Sequence, residues 1–274
     1  MSQADVRVSP AWLALREAAD AEARATDLVA RARRHLPAGE RAVIHDLGCG
    51  TGSMGRWLAP MLAGPQHWVL HDRDAELLAH AAATMPGKAG DGSPVTLETR
   101  LRDITRLDSD DLVGASLITA SALIDLVTAD ELGRLVTACS AAGCPVLLTI
   151  CPTGRVDVSP ADPLDAPVAE AFNAHQRRTS RGRRLLGPDA LDVASAGFSR
   201  LGHEVLVRPS SWRLGAARSA LATEWLSGWV RAAIEQRPDL GPRAERYLQR
   251  RTLEAGAAQL RVTVHHRDLL VVPR

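Results

Sequence analysis

The residues most suggestive of chemistry lie in the stretch 46–52, where glycines stand at Gly48, Gly50 and Gly52. The stretch directly follows the apolar run 41–47, which predicts a buried strand. Glycine has no Cβ, so the backbone there can approach a ligand closely and adopt a positive φ. The pattern of residues 53–62 predicts a helix whose first amides would face the same ligand. The stretch therefore predicts a ligand-binding turn, with a plain tight turn as the alternative.

Three carboxylates are placed where they could reach such a ligand. Asp46 precedes the glycines, and a carboxylate there favours a cationic ligand end over a pyrophosphate; the spacing G-x-G-x-G also differs from the dinucleotide pattern G-x-G-x-x-G. Asp72 ends the second predicted strand, where it can accept hydrogen bonds from both hydroxyls of a ribose. Asp103 follows the third strand and can accept from an adenine amino group, with Ile104 against the ring. The alternatives are a helix cap shared with Asp74 for Asp72, and a solvated charge for Asp103.

Together these residues resemble the class I S-adenosylmethionine-dependent methyltransferases. Residues 43–52 resemble the first motif of that family, His71-Asp72-Arg73-Asp74 the second, and Arg102-Asp103-Ile104 its acidic adenine contact. The resemblance covers residues 41–151 well and the remainder in outline. It implies S-adenosyl-L-methionine as the cofactor and S-adenosyl-L-homocysteine as the product. The cofactor-binding residues are then expected to be Asp46, Gly48, Cys49, Gly50, Gly52, Asp72, Arg73, Asp103, Ile104 and Ser121.

The family's fourth motif corresponds to residues 115–125, and here it departs from the usual pattern. Ala115 stands where the family has an aspartate, and the Asn-Pro-Pro-Tyr type sequence of enzymes that methylate amino groups of DNA and RNA bases is absent. Ser121 and Asp125 occupy positions that the family places near the sulfonium and the substrate. We therefore expect Asp125 to be catalytic, the alternatives being a cap of the helix that starts near Val127 or a solvated charge.

The elements that would position these residues alternate between strand and helix. Strands are predicted at 41–47, 67–70, 95–101, 115–120 and 146–151, and helices at 11–35, 53–62, 74–85 and 129–142. Asp74 is a candidate N-cap. Such alternation predicts an α/β fold with a parallel sheet and helices on both faces. The resemblance implies a Rossmann-like, doubly wound sheet of seven strands, mostly parallel with an antiparallel last strand.

The second half of the chain is less regular. Helices are predicted at 167–176, 188–196, 221–236 and 243–259, and strands at 204–208, 260–265 and 268–272. His265-His266 would form a hairpin turn or bend between the last two runs, and the region 260–272 would supply the antiparallel strand. We predict one methyltransferase domain over residues 1–274. It would comprise a helical N-terminal element (1–36), a cofactor-binding half (37–152) and a substrate-side half (153–274) with a helical cover at 153–186.

Candidate substrate contacts come from this second half. His175 is predicted as a general base that titrates near neutral pH, with Asn173 on the same short helix as a substrate contact; an exposed or capping histidine is the alternative. Arg178 is predicted to bind a carboxylate or phosphate of the acceptor. Trp212 would wall the pocket or pack in the core. The run that contains Arg178 could instead be a solvated face or a nucleic-acid patch; its arginines are Arg177, Arg178, Arg181, Arg183 and Arg184.

The composition of the chain argues against nucleic acid and membranes as binding partners. The formal net charge is +1, so no bulk basic field attracts nucleic acid or a membrane surface. The first ten residues lack the pattern of a signal peptide, and no apolar run approaches the ~18 residues of a membrane span. The four cysteines lack metal-site spacing, so they predict reduced thiols in a cytoplasmic protein and no metal site. The expected assembly is a monomer or homodimer, although the sequence does not determine the oligomeric state. Cys151 is expected to pack in the core, because the Pro-Cys of cysteine-dependent methylation is missing.

These observations favour methyl transfer to an oxygen or nitrogen of a small-molecule acceptor. Two alternatives stay open. One is an RNA methyltransferase that uses the arginines of residues 177–184, and the other is a non-catalytic scaffold that binds S-adenosylmethionine.

Overall fold

A central sheet organises the structure, a computed structural model that describes residues 8–180 and 182–274. Its strands run in the order β3-β2-β1-β4-β5-β10-β8, with β9 beside β10, and β6 pairs with β7 in a separate hairpin. Neighbouring strands from β1 to β5 are parallel, while β10 is antiparallel to β5 and β8. The strands are β1 (Ala42–Leu47), β2 (Gln66–Asp72), β3 (Val95–Leu101), β4 (Leu117–Ser121), β5 (Val146–Ser159), β6 (Thr179–Ser180), β7 (Arg183–Arg184), β8 (Glu204–Pro209), β9 (Trp212–Leu214) and β10 (Arg261–Val272).

This strand order is that of the class I methyltransferase fold. Seven strands form the continuous path, and only the last strand in the chain runs against its neighbours. The predicted fold class is therefore confirmed, including the assignment of region 260–272 as the antiparallel strand. Parallel strands place their carboxyl ends at one edge of a sheet, where the glycine stretch and the predicted carboxylates follow β1, β2 and β3.

The helices cover both faces of the sheet. Ser9 caps the first helix and Asp74 the fourth, while Thr128 and Glu131 form a capping box at the fifth. The predicted cap at Asp74 is thus confirmed. The helices are α1 (Pro10–Ala23), α2 (Thr26–Ala32), α3 (Ser53–Leu58), α4 (Ala75–Thr84), α5 (Ala129–Ala141), α6 (Asp165–Gln176), α7 (Ala190–Arg200), α8 (Ser219–Gln236) and α9 (Gly241–Gly256).

Three apolar clusters form the core. One contains Phe198 of α7 and packs α5 and α7 on one face of the sheet, and a second contains Trp68 and packs α3 and α4 on the other. The third lies beyond the sheet proper, where Trp229 of α8 and Tyr247 of α9 pack with α6 and with the far ends of β5 and β10. Cys151 belongs to the first cluster, as its packing role predicted. The third cluster forms a helical lobe that faces the carboxyl ends of the parallel strands.

The N-terminal helix predicted at 11–35 is interrupted. The chain leaves α1 at Arg24, which has an extended ψ of 138°, and resumes as α2 at Thr26. The amide of Ala25 donates to Asp268 Oδ2 at 2.8 Å, so a buried carboxylate of β10 takes a hydrogen bond that a continuous helix would use internally. Periodicity could not reveal this break, because the partner lies more than two hundred residues away along the chain.

Two strands are longer than predicted. β5 continues past Cys151 to Ser159, so residues 153–159 belong to the sheet and only the residues beyond them cover it. The turn or bend predicted at His265-His266 is wrong, because β10 runs through both histidines. The pairing register with β5 shifts at two places, between Val264 and His266 and between Arg267 and Leu269, and the strand continues through both irregularities. Long-range pairing of β5 with β10 decides both lengths.

Within residues 8–180 and 182–274, no helix has the length and apolar content needed to cross a membrane.

Candidate functional site

A cavity of about 1260 Å³ opens at the carboxyl edge of the parallel strands. It exceeds the roughly 300–1,000 Å³ of a typical small-molecule site. At one end, which we call the glycine end, it is lined by the loop after β1 and by residues that follow β2 and β3. At the other, which we call the helical end, it is lined by side chains of α1, α6 and α8. The space can therefore hold two ligands side by side.

The glycine loop requires its glycines. Gly48, Gly50 and Gly52 have φ of 64°, 55° and 85°, a left-handed region that side chains rarely adopt. A Cβ on Gly48 would lie 2.8 Å from a methyl of Leu123, and one on Gly50 would lie 3.2 Å from a methyl of Leu13. Gly48, Cys49 and Gly50 line the cavity, while Gly52 lies behind them as the N-cap of α3. The backbone of Gly48, Cys49 and Gly50 thus forms one wall of the cavity, and the role of Gly52 is to begin α3.

Asp72 joins the loop to the end of β2. Its Oδ2 accepts from the Gly50 amide at 2.9 Å and its Oδ1 from the Asp74 amide at 3.0 Å. A carboxylate has about four lone-pair sites, so this half-buried side chain keeps capacity for ligand hydroxyls in the cavity that it lines. Asp74 caps α4 by accepting from the amides of Glu76 and Leu77. The alternative reading of Asp72 as the helix cap is therefore wrong. Arg73, between the two, also lines the cavity and is exposed.

Asp103 and Ile104 follow β3 and line the same end of the cavity. Asp103 Oδ1 accepts from the amide and hydroxyl of Thr105, at 3.0 Å and 2.8 Å, which fixes the carboxylate at the start of a short turn. Its side chain is 44% exposed, and its Oδ2 has only a long contact of 3.9 Å with the Nε of the exposed Arg106. Ile104 is buried and presents an apolar surface beside it. A polar acceptor beside an apolar wall suits the edge and face of a purine.

A buried anion lies at the end of β1. Asp46 is 1% exposed; its Oδ1 accepts from the Thr119 hydroxyl at 2.8 Å, and its Oδ2 has no hydrogen-bond partner among the described residues. Burial raises the pKa of Asp46 to about 7, against the opposing effects of Thr119 and the charge of Arg24. Asp46 is among the residues that line the cavity. A buried oxygen without a donor is costly unless a ligand supplies one.

A buried cation, Arg24, interacts electrostatically with this anion. One of its Nη atoms donates to Ser121 at 3.1 Å and contacts Ser53 at 3.4 Å, and both serines line the cavity. Its Nε and other Nη have no partner in the described part of the chain. Burial lowers the pKa of Arg24, and its guanidinium lies 5.0 Å from the ring centre of Trp57. The sequence analysis missed Arg24, for which the only signal was a charge beside the apolar face of the predicted helix.

Asp125 lies where the loop after β4 borders the cavity. It is half-buried in a short turn at Ile124–Leu126. Thr128 caps α5, so the prediction of a helix cap at Asp125 is wrong. Burial raises the pKa of Asp125 to about 6, although its own backbone amide and the charge of Arg16 oppose the shift. Ser121, on the same loop, also lines the cavity. A carboxyl that titrates near neutrality beside a cavity is suited to proton transfer.

His175 lines the helical end. Its Nε2 lies 3.1 Å from Glu235 Oε2, and its Nδ1 lies 3.2 Å from an Nη of Arg178. Burial lowers the pKa of His175, helped by the charge of Arg178 and opposed by Glu235. Arg178 also lines the cavity. Asn173, expected beside them, instead donates its amide to the Gly154 carbonyl at 2.8 Å and does not line the cavity.

The arginines near residue 180 do not form one free basic face. Arg177 is held by Asp189 at 2.6 Å, and Arg183 by Glu131 at 2.6 Å. Arg184 lines a small separate pocket beside α5, while Arg181 lies outside the described residues. Of the run, only Arg178 and Arg183 border the large cavity.

Trp212 combines the two roles that were considered for it. It is 3% exposed in the third cluster and also lines the cavity. Its indole N–H donates to Asp20 at 2.9 Å, and the Arg16 guanidinium lies 4.9 Å from its ring centre. The tryptophan therefore forms a wall of the cavity where β9 packs against α1.

Comparison with known proteins gives similarity at the level of structure. No protein-family model and no curated protein sequence matches the chain. The cyclopropane synthase MmaA2 from Mycobacterium tuberculosis is similar over 90% of this chain and 83% of that one, with 13% identity and a TM-score of 0.48. The YcgJ protein from Bacillus subtilis is similar over 91% and 98%, with 14% identity and a TM-score of 0.49.

A third similar structure is a SAM-dependent methyltransferase from Geobacter sulfurreducens in complex with S-adenosyl-L-homocysteine. It covers 97% of this chain and 99% of its own, with 16% identity and a TM-score of 0.43. Values this low do not transfer a function, so the functional assignment has to come from the residues of this chain.

Proposed function

We propose that this chain, which has the class I methyltransferase fold, is an S-adenosylmethionine-dependent methyltransferase that acts on an oxygen or nitrogen of a small molecule. The observation that carries the proposal is the order of groups along one cavity. Asp46, a buried acid with an unused oxygen, comes first, then Asp72, then Asp103 beside Ile104. The buried Arg24, which also has unused hydrogen-bonding atoms, does not line the cavity itself but contacts Ser53 and Ser121, which do. That order matches an amino acid, a ribose and an adenine in one ligand.

The residues present fit this cofactor. The free Oδ2 of Asp46 suits an ammonium group, and the free Nε and Nη of Arg24 suit a carboxylate. Asp72 suits the ribose hydroxyls, and Asp103 with Ile104 suits the adenine. When bound, S-adenosylmethionine supplies an electrophilic methyl group on a positively charged sulfur. The chain itself aligns the acceptor, excludes water through the helical lobe and manages the proton that the acceptor loses.

Asp125 is the best-placed proton acceptor. Its carboxyl, with a pKa of about 6, is mostly ionised at neutral pH and lines the cavity. We expect kcat/KM to rise with pH through about 6, because only the ionised carboxylate can take a proton. Asp125→Asn should remove this limb of the pH profile and lower kcat by roughly 10²–10⁴-fold. The measurement is release of S-adenosylhomocysteine with an acceptor found by screening phenols, amines and carboxylic acids. An unchanged profile in the variant would assign the base elsewhere, with His175 as the next candidate.

A small acceptor is favoured over RNA. The helical lobe lines one end of the cavity, and two arginines of the suspected RNA-binding run already neutralise Asp189 and Glu131. The four cysteines are free and buried, which fits a reducing compartment, so we propose a cytoplasmic location.

The direct test is calorimetric titration with S-adenosylmethionine and S-adenosylhomocysteine. We expect both to bind, and absence of binding at about 1 mM would refute the proposal. Asp72→Ala should weaken binding by roughly 1–3 kcal/mol, because a polar contact is lost in a partly buried site. Asp130→Ala is the matched control, since Asp130 is exposed on α5 and does not line the cavity. Equal affinity of the Asp72 and Asp130 variants would remove Asp72 from the site.

Binding without turnover is the remaining outcome to distinguish. If the cofactor binds but no acceptor in a broad panel releases S-adenosylhomocysteine, the scaffold alternative is favoured over catalysis.

A further inference from the structure

Aromatic side chains are concentrated at the helical end of the cavity. The chain has only nine aromatic residues: six Trp, one Tyr and two Phe. Five of them line this one cavity, and all five come from α1, α6, β9 and α8 rather than from the glycine loop. They are Trp12, Phe172, Trp212, Trp225 and Trp229. A chain that uses aromatics so sparingly places most of them around the space where the acceptor would lie.

One face of α8 forms part of the cavity wall within this group. Trp225, Gly228 and Trp229 are spaced three and four residues apart, so they share a helix face, and all three line the cavity. The two indole rings stack with centroids 5.1 Å apart and planes 22° apart. Gly228 is exposed between them, and a Cβ there would meet no atom within 4 Å. Trp229 is 2% exposed and stacks on Trp225, so the absence of a side chain at Gly228 leaves room chiefly beside the half-buried Trp225.

The opposite aromatic pair is already occupied by a cation. The guanidinium of Arg16 lies 6.0 Å from the ring centre of Trp12 and 4.9 Å from that of Trp212. Arg16 is in turn held by Asp20 at 2.9 Å. The Arg16 guanidinium already lies over these two rings, so they are not free to surround a cationic ligand. The stacked pair of Trp225 and Trp229 is therefore the aromatic contact left for a ligand at the helical end.

We infer that the methyl acceptor is a flat aromatic or heteroaromatic molecule that lies against the surface formed by Trp225, Gly228 and Trp229. Aromatic rings prefer offset-stacked or edge-to-face contact with one another, which a flat ligand can make and a bulky saturated one cannot. The inference rests on the proposed function, because it assigns the acceptor of the same site. Asp125 and His175 border the cavity as polar partners for a ring hydroxyl or amine.

The test is a binding titration in the presence of saturating S-adenosylhomocysteine. The probes are 2-naphthol and quinolin-6-ol, compared with decahydro-2-naphthol as the saturated counterpart, choline as the cation and dodecylamine as the long alkyl chain. We expect the two flat probes to bind at least tenfold more tightly than the other three. Equal or tighter binding of the saturated alcohol, choline or dodecylamine would overturn the inference.

The matched variants are Gly228→Leu and Gly133→Leu. Both glycines are exposed in the middle of a helix, neither has a positive φ, and a Cβ on either meets nothing within 4 Å, but only Gly228 lines the cavity. Both variants should fold, because Gly is a poorer helix former than Leu. Gly228→Leu should weaken binding of the flat probes at least tenfold and leave the affinity for S-adenosylhomocysteine unchanged, whereas Gly133→Leu should change neither. Unchanged probe binding in Gly228→Leu would refute the assigned surface.

The two proposals fail in different ways. Absence of S-adenosylhomocysteine binding refutes the proposed function itself. Tight S-adenosylhomocysteine binding combined with no binding of either flat probe refutes only the aromatic acceptor.

Discussion

Arg24 and Asp46 are the two residues whose chemistry depends most on burial. Each is nearly inaccessible and each keeps polar atoms without a partner in the described structure. In water these groups would be fully hydrated, so their unused hydrogen bonds represent a cost of folding that a zwitterionic ligand can offset. Under the proposed function, the pair would take up the ammonium and the carboxylate of the amino-acid part of the cofactor.

The role of Arg24 can be tested with two ligands that differ only in the amino-acid part. Arg24→Gln should weaken S-adenosylhomocysteine binding by roughly 10–100-fold, since hydrogen bonds to a charged group contribute about 1.5–3 kcal/mol. Binding of 5′-methylthioadenosine, which lacks the amino-acid carboxylate, should not change. Calorimetry measures both affinities on the same protein. Equal losses for the two ligands would show that Arg24 only supports the fold of the site.

Asp46 should make cofactor binding depend on pH. Its pKa of about 7 means that the carboxyl is largely protonated at pH 6 and ionised at pH 8. An ammonium group binds the ionised form, so affinity for S-adenosylhomocysteine should fall up to about tenfold for each pH unit below 7.

The corresponding variant removes the titration without removing the side chain. In Asp46→Asn, calorimetry between pH 5.5 and 8 should give a nearly constant affinity, because the amide does not ionise. A pH dependence identical to that of the natural chain would contradict the assignment to Asp46.

At the scale of elements, β1 and β2 carry a buried pair of histidines behind the glycine loop. His45 Nδ1 lies 3.1 Å from His71 Nε2, and the rings stack with centroids 5.2 Å apart. Burial is the main cause that lowers the pKa of each to about 4; Arg100 is the second cause for His45, and His45 is the second for His71. The strands must therefore hold both rings neutral, since charging either one inside the sheet is unfavourable.

This pair predicts acid sensitivity. A folded pKa below the unfolded value gives stability that is present above about pH 6.5 and is lost as pH falls toward 4. On going from pH 7 to pH 5, each ring should lower the free energy of unfolding by about 2 kcal/mol. Urea unfolding measures the free energy of unfolding at pH 7 and pH 5. The decrease between the two pH values should be smaller by about 2 kcal/mol in His71→Gln than in the natural chain.

His80→Gln is the control for this measurement, because His80 is exposed on α4. Its loss between pH 7 and pH 5 should equal that of the natural chain. If His71→Gln and His80→Gln behave alike, the acid sensitivity arises from other groups, of which buried His266 is the first candidate because burial lowers its pKa to about 3.

The elements of the first half were predictable because their strands, helices and caps follow from residue types that are close together in the sequence. The strand at 95–101 was predicted with the bounds that β3 has, and the cap at Asp74 follows from side-chain chemistry within three residues. β5 and β10 were predicted too short or interrupted, because their outer halves pair with each other rather than following a simple alternation. The break at Arg24 likewise depends on Asp268.

At the scale of the whole molecule, the cavity brings together three distant parts of the chain. α1 contributes Trp12 and Arg16, the loops after β1 to β4 contribute the glycine end, and α6 with α8 contributes the helical end. α1 also touches the glycine loop directly, since Leu13 packs against Gly50. α1 therefore contributes to both ends of the cavity, through Leu13 beside the glycine loop and through Trp12 and Arg16 at the helical end.

The sequence by itself determined the glycine loop, its carboxylates and the alternation that gives the fold, because each of these is a local pattern of residue types and spacing. Only the tertiary structure decided which polar atoms are left without partners and which aromatic rings meet in one space. Burial and pairing are properties of contacts between segments far apart in the chain. For that reason Asp103 could be proposed from its position after a strand, whereas Arg24 and the surface around Gly228 emerged only when the helices were in place.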